Sequence, residues 1–287
     1  MRIAVIGSGI SGLVAAYLLS EEHEITVFEA NDYIGGHTHT IDVPLNGRTY
    51  AVDTGFIVFN ENTYPNFIKL MQRLGVAAQP SSMSFSVQCH RTGLYFRPST
   101  LNTLFAQRRN MFRPSFYRML ADALRFRREA SELIETDDYS ITLQAYLEQK
   151  RYSTFFIDNF IIPMGGAIWS ANPEKFREFP ARYLVEFFNN HGVLNIRNQP
   201  QWMVIKGGSR QYIAPLIRPF RENIHVNTPV SSVKRFDDRV EVTTARGDCG
   251  AFDQVVLAVH SDQALKILAD PSDRECSILS CIPYQDN

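Results

Sequence analysis

The chain has little of what metal sites and disulfide frameworks require. It contains four cysteines in 287 residues, and none of them forms a C-x-x-C pair. Its seven histidines lack the spacing of metal ligands, and the one close pair, His37 and His39, is too weak a pattern to predict a metal. We therefore predict no metal and no disulfide. Free thiols in a reducing cytoplasm are the simplest account of the cysteines.

Long apolar runs, a strong net charge and hydrolase motifs are also lacking. No run approaches the ~18 consecutive apolar residues of a membrane span. The formal net charge of −1 gives no general case for nucleic-acid binding. No G-x-S-x-G pattern and no nucleophile-and-base set is present, so the sequence names no catalytic residue. We expect a cytoplasmic protein that does not bind nucleic acid.

Glycine is concentrated near the start of the chain. An apolar run over residues 3–6 ends at Gly7, glycines recur at Gly9 and Gly12, and a helix-compatible stretch follows at once. This is G-x-G-x-x-G in the order strand, turn, helix. The first glycine permits a sharp turn, the second a close approach to a pyrophosphate, and the third close packing of helix on strand. The stretch predicts a dinucleotide site at a helix N-terminus.

An acidic residue follows at the distance that dinucleotide binding requires. A second predicted strand, residues 24–28, ends at Glu29. That position is about 20 residues after Gly7, as expected for the carboxylate that binds a ribose hydroxyl. The combination favours a dinucleotide site over a surface glutamate beside a glycine-rich turn.

The remaining elements predict two domains. Hairpins are expected over 40–52, 83–96 and 230–244, a helix over 62–74 with Asn62 as its N-cap, and a buried strand over 252–259 followed by a helix over 261–268. Residues 99–190 are instead dense in aromatic residues and helical periods, with helices expected over 114–135, 140–150, 153–161 and 174–190. We therefore predict a discontinuous nucleotide-binding domain, residues 1–76 and 202–287, interrupted by an inserted substrate domain, residues 77–201.

One glycine-containing segment of the insert is unusual. Residues 163–170, P-M-G-G-A-I-W-S, are predicted to form a loop that packs closely against another group. Trp169 either walls a substrate cavity or lies in the core between helices, and the sequence leaves both interpretations open.

Five stretches together resemble the flavin-containing amine oxidase superfamily, which includes phytoene desaturases and protoporphyrinogen oxidases, and most of all its bacterial branch of NAD/FAD-binding proteins. The stretches are residues 7–12 with Glu29 and Ala30, residues 35–38, residues 52–55, residues 206–209, and residues 228–233 with 255–259. The resemblance implies an α/β fold in which a Rossmann-like FAD-binding domain of the second glutathione-reductase type is interrupted by a mostly helical substrate domain with a small β portion.

The resemblance also implies a set of FAD-binding residues. The glycine turn would hold the pyrophosphate, Glu29 the adenosine ribose, the segment 36–38 the phosphates and ribityl chain, the segment 53–57 the isoalloxazine, and Val230 the adenine. The implied residues are Gly7, Ser8, Gly9, Ile10, Ser11, Gly12, Glu29, Ala30, Gly35, Gly36, His37, Thr38, Thr54, Gly55, Phe56, Ile57, Val230 and Ala258.

The chain departs from the family pattern in two ways. His37 stands where most relatives have arginine, so a side chain whose charge depends on pH near neutrality replaces a permanent cation. His37 either binds a phosphate oxygen or is a polar neighbour of the site. Relatives also continue into a further substrate-domain segment and a helix at the flavin pyrimidine ring. We expect this C-terminal part of the fold to be missing from the 287 residues.

A basic stretch lies within the insert. Residues 91–128 carry nine arginines and one acid, Asp122, interleaved with apolar side chains. This pattern fits either a face that rests peripherally on an anionic membrane, at its inner side, or a solvated helix face balanced by acids elsewhere.

The function that follows is an FAD-dependent oxidoreductase. Its substrate would be apolar, a fatty acyl chain, a polyprenoid or an amine, and hydride would pass from it to flavin N5. Two alternatives stay open: a flavin-dependent isomerase of the sugar-mutase type, which consumes no electron acceptor, and a flavin-binding scaffold without catalytic activity. The sequence names neither the substrate, nor the acceptor, nor the oligomeric state.

Overall fold

The computed structural model of the chain describes residues 1–90, 92–195 and 200–284. Within these residues the backbone divides into two compact units. The first comprises Met1–Phe59, Asn66–Pro80 and the chain from Met203 onward, and the second comprises Asn60–Pro65 and Ser81–Trp202. The predicted domain borders fall at 76/77 and 201/202, so they do not place Asn60–Pro65 in the second unit.

The secondary structure alternates between strands and helices. The strands are β1 (Arg2–Ile6), β2 (Glu24–Phe28), β3 (Thr40–Leu45), β4 (Arg48–Asp53), β5 (Phe59–Asn60), β6 (Ala78–Ser81), β7 (Val87–Cys89), β8 (Leu94–Phe96), β9 (Trp202–Ile205), β10 (Ile224–His225), β11 (Val230–Arg235), β12 (Val240–Thr244), β13 (Cys249–Phe252) and β14 (Gln254–Leu257). The α-helices are α1 (Ile10–Leu19), α2 (Pro65–Leu74), α3 (Leu101–Leu104), α4 (Pro114–Glu129), α5 (Leu143–Gln149), α6 (Thr154–Phe156), α7 (Ile162–Trp169), α8 (Pro173–Phe176), α9 (Ala181–Asn190), α10 (Ile213–Ile217), α11 (Ser261–Ile267) and α12 (Asp273–Leu279). A π-helical turn, Ile157–Ile161, joins α6 to α7, and 3₁₀ turns cover Arg108–Phe112, Ala130–Leu133, Ser209–Tyr212 and Arg218–Asn223.

A parallel sheet forms the centre of the first unit. Its strand order is β10-β2-β1-β14, and all of its pairs are parallel. Ala4 and Val5 of the central strand are fully buried, which explains the continuous apolar run in the sequence. Parallel strands end at one edge of the sheet, so the turns after β1, β2 and β14 lie together there. The predicted α/β class is confirmed.

Two antiparallel elements also belong to this unit. The hairpin β3–β4 turns at Asn46 and Gly47, whose φ angles of 50° and 74° are those of a tight hairpin turn, as the Asn-Gly pair predicts. The sheet β11-β12-β13 is also antiparallel, and its Val233 and Val242 share a buried cluster with Ala4 of the central strand.

Two predicted elements are wrong in their limits. The single strand expected over 252–259 is split at Asp253, whose carboxylate accepts a 2.6 Å hydrogen bond from the Arg2 N–H. That contact separates β13, which pairs with β12, from β14, which pairs with β1.

The helix expected over 62–74 begins only at Pro65, so Asn62 is not its N-cap. The reason is a preceding turn in which Asn60 Oδ1 accepts hydrogen bonds from the N–H groups of Asn62 and Thr63, both at 3.0 Å.

The second unit is mostly helical with one small hairpin, β7–β8, as the resemblance implies. The hairpin is shorter than the predicted 83–96, and Arg91 of its expected turn lies outside the described residues. The helix expected over 174–190 is interrupted between α8 and α9, where Pro180 precedes the second helix. Within the described chain, no helix is both long enough and apolar enough to cross a bilayer.

Aromatic side chains fill the core of the second unit. The buried ones are Phe96, Phe116, Phe126, Tyr146, Tyr152, Phe156, Phe176 and Phe188. Their density in the sequence is therefore accounted for by packing, without a substrate cavity.

Residues 163–170 are not a loop, because all but Ser170 belong to α7. Trp169 packs on the rings of Phe176, Phe179 and Phe187, with centroid separations of 5.6, 5.2 and 4.7 Å. These contacts favour the core interpretation of Trp169. Gly165 gives the helix its close approach, since a Cβ there would lie 1.9 Å from Cε1 of Phe176.

Replacing Gly165 by alanine should therefore destabilise the protein, although a glycine-to-alanine substitution within a helix usually stabilises it. Helix propensity alone would stabilise the protein by about 1 kcal/mol. The clash with Phe176 should instead destabilise it by about 1–3 kcal/mol. Urea unfolding measures the difference, with Ala167→Gly as a control at an exposed position of the same helix. A Gly165→Ala variant as stable as the parent would contradict this packing.

Candidate functional site

The turn after β1 is built from backbone contacts that only glycine allows. Gly7 has φ +101° and donates its N–H to the carbonyl of Phe28 at 2.8 Å. A Cβ on Gly7 would lie 2.5 Å from the Ala258 oxygen, and one on Gly12 would lie 2.0 Å from the Gly7 oxygen. Gly7 and Gly12 therefore fix how α1 leaves the sheet.

Gly9 differs from these two glycines because its missing Cβ leaves open space. Apart from Gly9 and its two chain neighbours, no atom of the described chain lies within 4 Å of where that Cβ would be. Gly9 is the N-cap residue of α1, no side chain caps the helix there, and no acid lies in its first turn. The helix N-terminus thus presents free N–H groups, which attract phosphate oxygens.

A second glycine segment closes over the first. Gly35 bridges Gly9 in the backbone, and its N–H donates to Ser8 Oγ at 3.3 Å. Gly36 has φ +57°, and a Cβ there would lie 3.1 Å from Gly9 Cα. The structure therefore brings together the two glycine stretches that the sequence separates by more than twenty residues.

Glu29 lies at the end of β2 and is 94% buried, with a relative exposure of 6%. Its Oε2 accepts hydrogen bonds from the N–H and hydroxyl of Ser8, at 2.9 and 2.5 Å. Its Oε1 accepts from the N–H and side-chain amide of Asn31, at 2.9 and 3.1 Å. These four bonds use all the acceptor positions of the carboxylate, so Glu29 holds the turn after β1 in place.

The start of β11 is tied to the same place. Thr228 donates its N–H to the Glu29 carbonyl, and Asn227 donates to the Asn31 carbonyl, both at 2.8 Å. Val230, far from Glu29 in the sequence, follows two residues after Thr228. The two residues expected at the adenosine end are thus brought to one region of the unit.

The segment after Gly36 connects the glycine turn to the residues expected at the flavin. The Phe56 N–H donates to the His37 carbonyl at 3.0 Å, and the Thr54 N–H to the His39 carbonyl at 2.9 Å. A Cβ on Gly55 would lie 2.1 Å from the His37 oxygen, so this approach also needs glycine. Residues 7–12, 35–38 and 54–57 therefore form one continuous surface.

His37 and His39 have different neighbours. The His37 ring stacks loosely on His260, at 6.4 Å between centroids, whereas His39 Nδ1 is 2.7 Å from the Thr54 hydroxyl. In the described part of the chain, no group of three histidine, cysteine or acidic side chains is placed to hold a metal ion.

Two polar residues hold this surface in place: Asp53, which begins the predicted segment 53–57, and Tyr212, which sequence reasoning missed. Asp53 Oδ1 accepts from the Thr40 hydroxyl at 2.6 Å and from the N–H and hydroxyl of Ser209, both at 2.8 Å. Tyr212 is buried and shares a short hydrogen bond with the Thr38 hydroxyl. Burial raises the pKa of Tyr212, so its phenol stays protonated.

The sequence signals the turn at residues 206–209 but not its contact with Asp53. The notable K-G-G-S stretch at residues 206–209 indicates a tight turn, and Gly207 and Gly208 have φ angles of 84° and 93°. Nothing in the sequence pairs this turn with a residue more than 150 positions earlier.

The chain is similar to known proteins over most of its length. A family model described as flavin containing amine oxidoreductase matches residues 10–280. The chain is 24% identical over 268 residues to a flavin-dependent L-tryptophan oxidase of Lentzea aerocolonigenes, covering 86% of this chain and 54% of that protein. It is 48% identical over 83 residues to a 4,4'-diapophytoene desaturase of Staphylococcus aureus, covering 25% of this chain and 16% of that protein.

A solved structure has a similar fold. Cyclohexylamine oxidase from Brevibacterium oxydans superposes with a TM-score of 0.72 at 19% identity, covering 97% of this chain and 62% of the oxidase. The chain therefore spans about half to three fifths of the length of the L-tryptophan oxidase and this oxidase.

The two kinds of glycine in the turn predict two different mutant phenotypes. Gly9→Ala leaves the fold intact, because its Cβ enters open space from an extended backbone conformation. It should nevertheless weaken FAD binding at least tenfold, on the order of 1.4 kcal/mol, by obstructing the approach of the pyrophosphate. Titration of the apoprotein with FAD, followed by flavin fluorescence, measures this loss.

Gly12→Ala is the matched control for that experiment. Its Cβ would meet the Gly7 oxygen, so it should lower the melting temperature whether or not FAD is present. Equal FAD affinity of Gly9→Ala and the parent would show that Gly9 does not face the cofactor.

Proposed function

We propose that this chain, which belongs to the family of flavin-containing amine oxidoreductases, is an FAD-dependent oxidoreductase acting on an apolar substrate. The family match confirms the resemblance found in the sequence and the expected cofactor, FAD. The observation that carries the proposal is the continuous surface formed by residues 7–12, 35–38 and 54–57. Bound there, FAD supplies the hydride acceptor that no side chain of the protein can provide.

The pyrophosphate would lie at the N-terminus of α1. The open space at Gly9 leaves room for it beside the contact between the two glycine stretches. The N–H groups of the first helical turn, at Ile10, Ser11 and Gly12, would donate to the phosphate oxygens. His37, exposed beside this turn, would add a hydrogen bond to a phosphate oxygen.

The adenosine would lie beside Glu29 and Val230. Because the Glu29 carboxylate has no spare acceptor, a ribose diol can bind it only by replacing an existing donor. The Asn31 amide is the one free to leave, since Asn31 is exposed whereas Ser8 is buried. Ser8 would then keep Glu29 in position.

The isoalloxazine would lie against the segment Thr54–Ile57. Phe56 is packed on Phe67, with ring centroids 5.0 Å apart, so its position is fixed by the fold. Ile57 is exposed and would present an apolar surface to the ring system. These residues position the ring and keep water from one side of it.

That the substrate is apolar is the more specific part of the proposal. It is supported by the desaturase relative, whose name specifies 4,4'-diapophytoene, whereas the oxidase relatives favour an amine or amino acid. The aromatic residues of the second unit do not decide between these, because most of them are core residues.

Anaerobic reduction tests the proposal directly. The purified protein, loaded with FAD, is mixed with polyprenoids, unsaturated fatty acyl substrates and amines, and bleaching of the oxidised flavin absorbance is followed. Bleaching by an apolar substrate, and oxygen or dye reduction during turnover, are the expected results. Conversion of a substrate without any acceptor consumption would replace the proposal by an isomerase. A flavin that no member of the panel reduces would favour a scaffold.

A further inference from the structure

The second unit exposes large apolar side chains on one short segment. Phe112 and Leu101 have relative exposures of 87% and 77%, and Met111 and Tyr117 are also exposed. Single exposed apolar residues are ordinary, but a group of this size within seventeen positions is typical of an interaction surface. We call these four residues, with the arginines between them, the Phe112 surface.

The Phe112 surface is held together by its own contacts. The Tyr117 hydroxyl donates to the Met111 carbonyl at 3.1 Å. The Arg108 guanidinium donates to Asn102 Oδ1 at 2.7 Å and to the Phe105 carbonyl at 3.3 Å. The residues flanking Phe112 are thus fixed while the Phe112 ring itself projects into solvent.

Its positive charges are not neutralised within the described residues. Arg108 and Arg109 bond neutral oxygens, the latter at the Gly93 carbonyl, and Arg113 lies over the Phe155 ring at 4.7 Å. No carboxylate of the described chain lies within 4 Å of these three guanidinium groups. The nearest acid along the chain, Asp122, is buried and already paired with Arg125 at 3.4 Å.

We propose that the Phe112 surface docks on an anionic lipid bilayer. Phe112 and Leu101 would enter the boundary between headgroups and acyl chains, and Arg108, Arg109 and Arg113 would face lipid phosphates. A bilayer satisfies both features at once, because it offers apolar chains beneath a layer of negative charge. An acidic protein partner would match the arginines but would need a pocket for a ring as exposed as Phe112.

A vesicle-binding assay tests this docking, and its readout does not depend on FAD. The purified protein is sedimented with vesicles of phosphatidylcholine alone or mixed with phosphatidylglycerol. Binding should need the anionic lipid and weaken in high salt. Arg108→Gln with Arg109→Gln should lower the partition coefficient about 25-fold, since each cation near an anionic surface contributes about fivefold. Phe112→Ser should lower it on the order of tenfold.

Two control variants distinguish a specific effect of the Phe112 surface on vesicle binding from a general effect of charge or hydrophobicity. Arg218→Gln with Arg221→Gln removes the same charge from exposed positions of the first unit, and Ile278→Ser removes an exposed apolar side chain there. Both should bind vesicles like the parent. Quenching of tryptophan fluorescence in F112W by bromine-labelled acyl chains should report insertion.

Other results would overturn the proposal. Equal binding of Phe112→Ser and the parent would do so, as would equal loss of binding in the control variants. A parent protein that ignores anionic vesicles but self-associates, and loses that association in Phe112→Ser, would assign the surface to a second copy of the chain.

Discussion

The approach of Gly12 to Gly7 is the contact on which the candidate site depends. Because no Cβ stands between them, α1 can begin immediately behind β1, with its N-terminus at the edge of the parallel sheet. Any larger residue at Gly12 would meet a backbone oxygen, which cannot move aside as a side chain can. The position of the free N–H groups, and hence of any bound pyrophosphate, follows from this one constraint.

A second layer of polar contacts fixes the surrounding loops. Glu29 holds the turn through Ser8, and Asp53 ties the hairpin β3–β4 to Ser209, the first residue of the 3₁₀ segment Ser209–Tyr212. Both carboxylates act on distant segments of the chain. In this chain, a buried acid and a partly buried one thus hold irregular backbone.

Sequence reasoning reached the features that depend on local chemistry. The glycine turn, the acid after β2 and the Asn-Gly hairpin follow from backbone conformations that few residues adopt. It failed where a contact with a residue distant in the sequence determines the local structure. Asp253 ends a strand because it binds Arg2. Residues 163–169 belong to a helix although Gly165 suggests a loop, since that glycine makes room for Phe176. The pairing of Asp53 with Ser209 had no local signal at all.

Amide hydrogen exchange with and without FAD tests the central claim most directly. If the cofactor extends from Glu29 across the glycine turn to Thr54, peptides covering residues 7–13, 29–40 and 54–57 should gain protection together, along with the start of β11. Peptides from the core of the second unit, such as α5, should not change. Protection absent from residues 7–13, or confined to the second unit, would contradict the account.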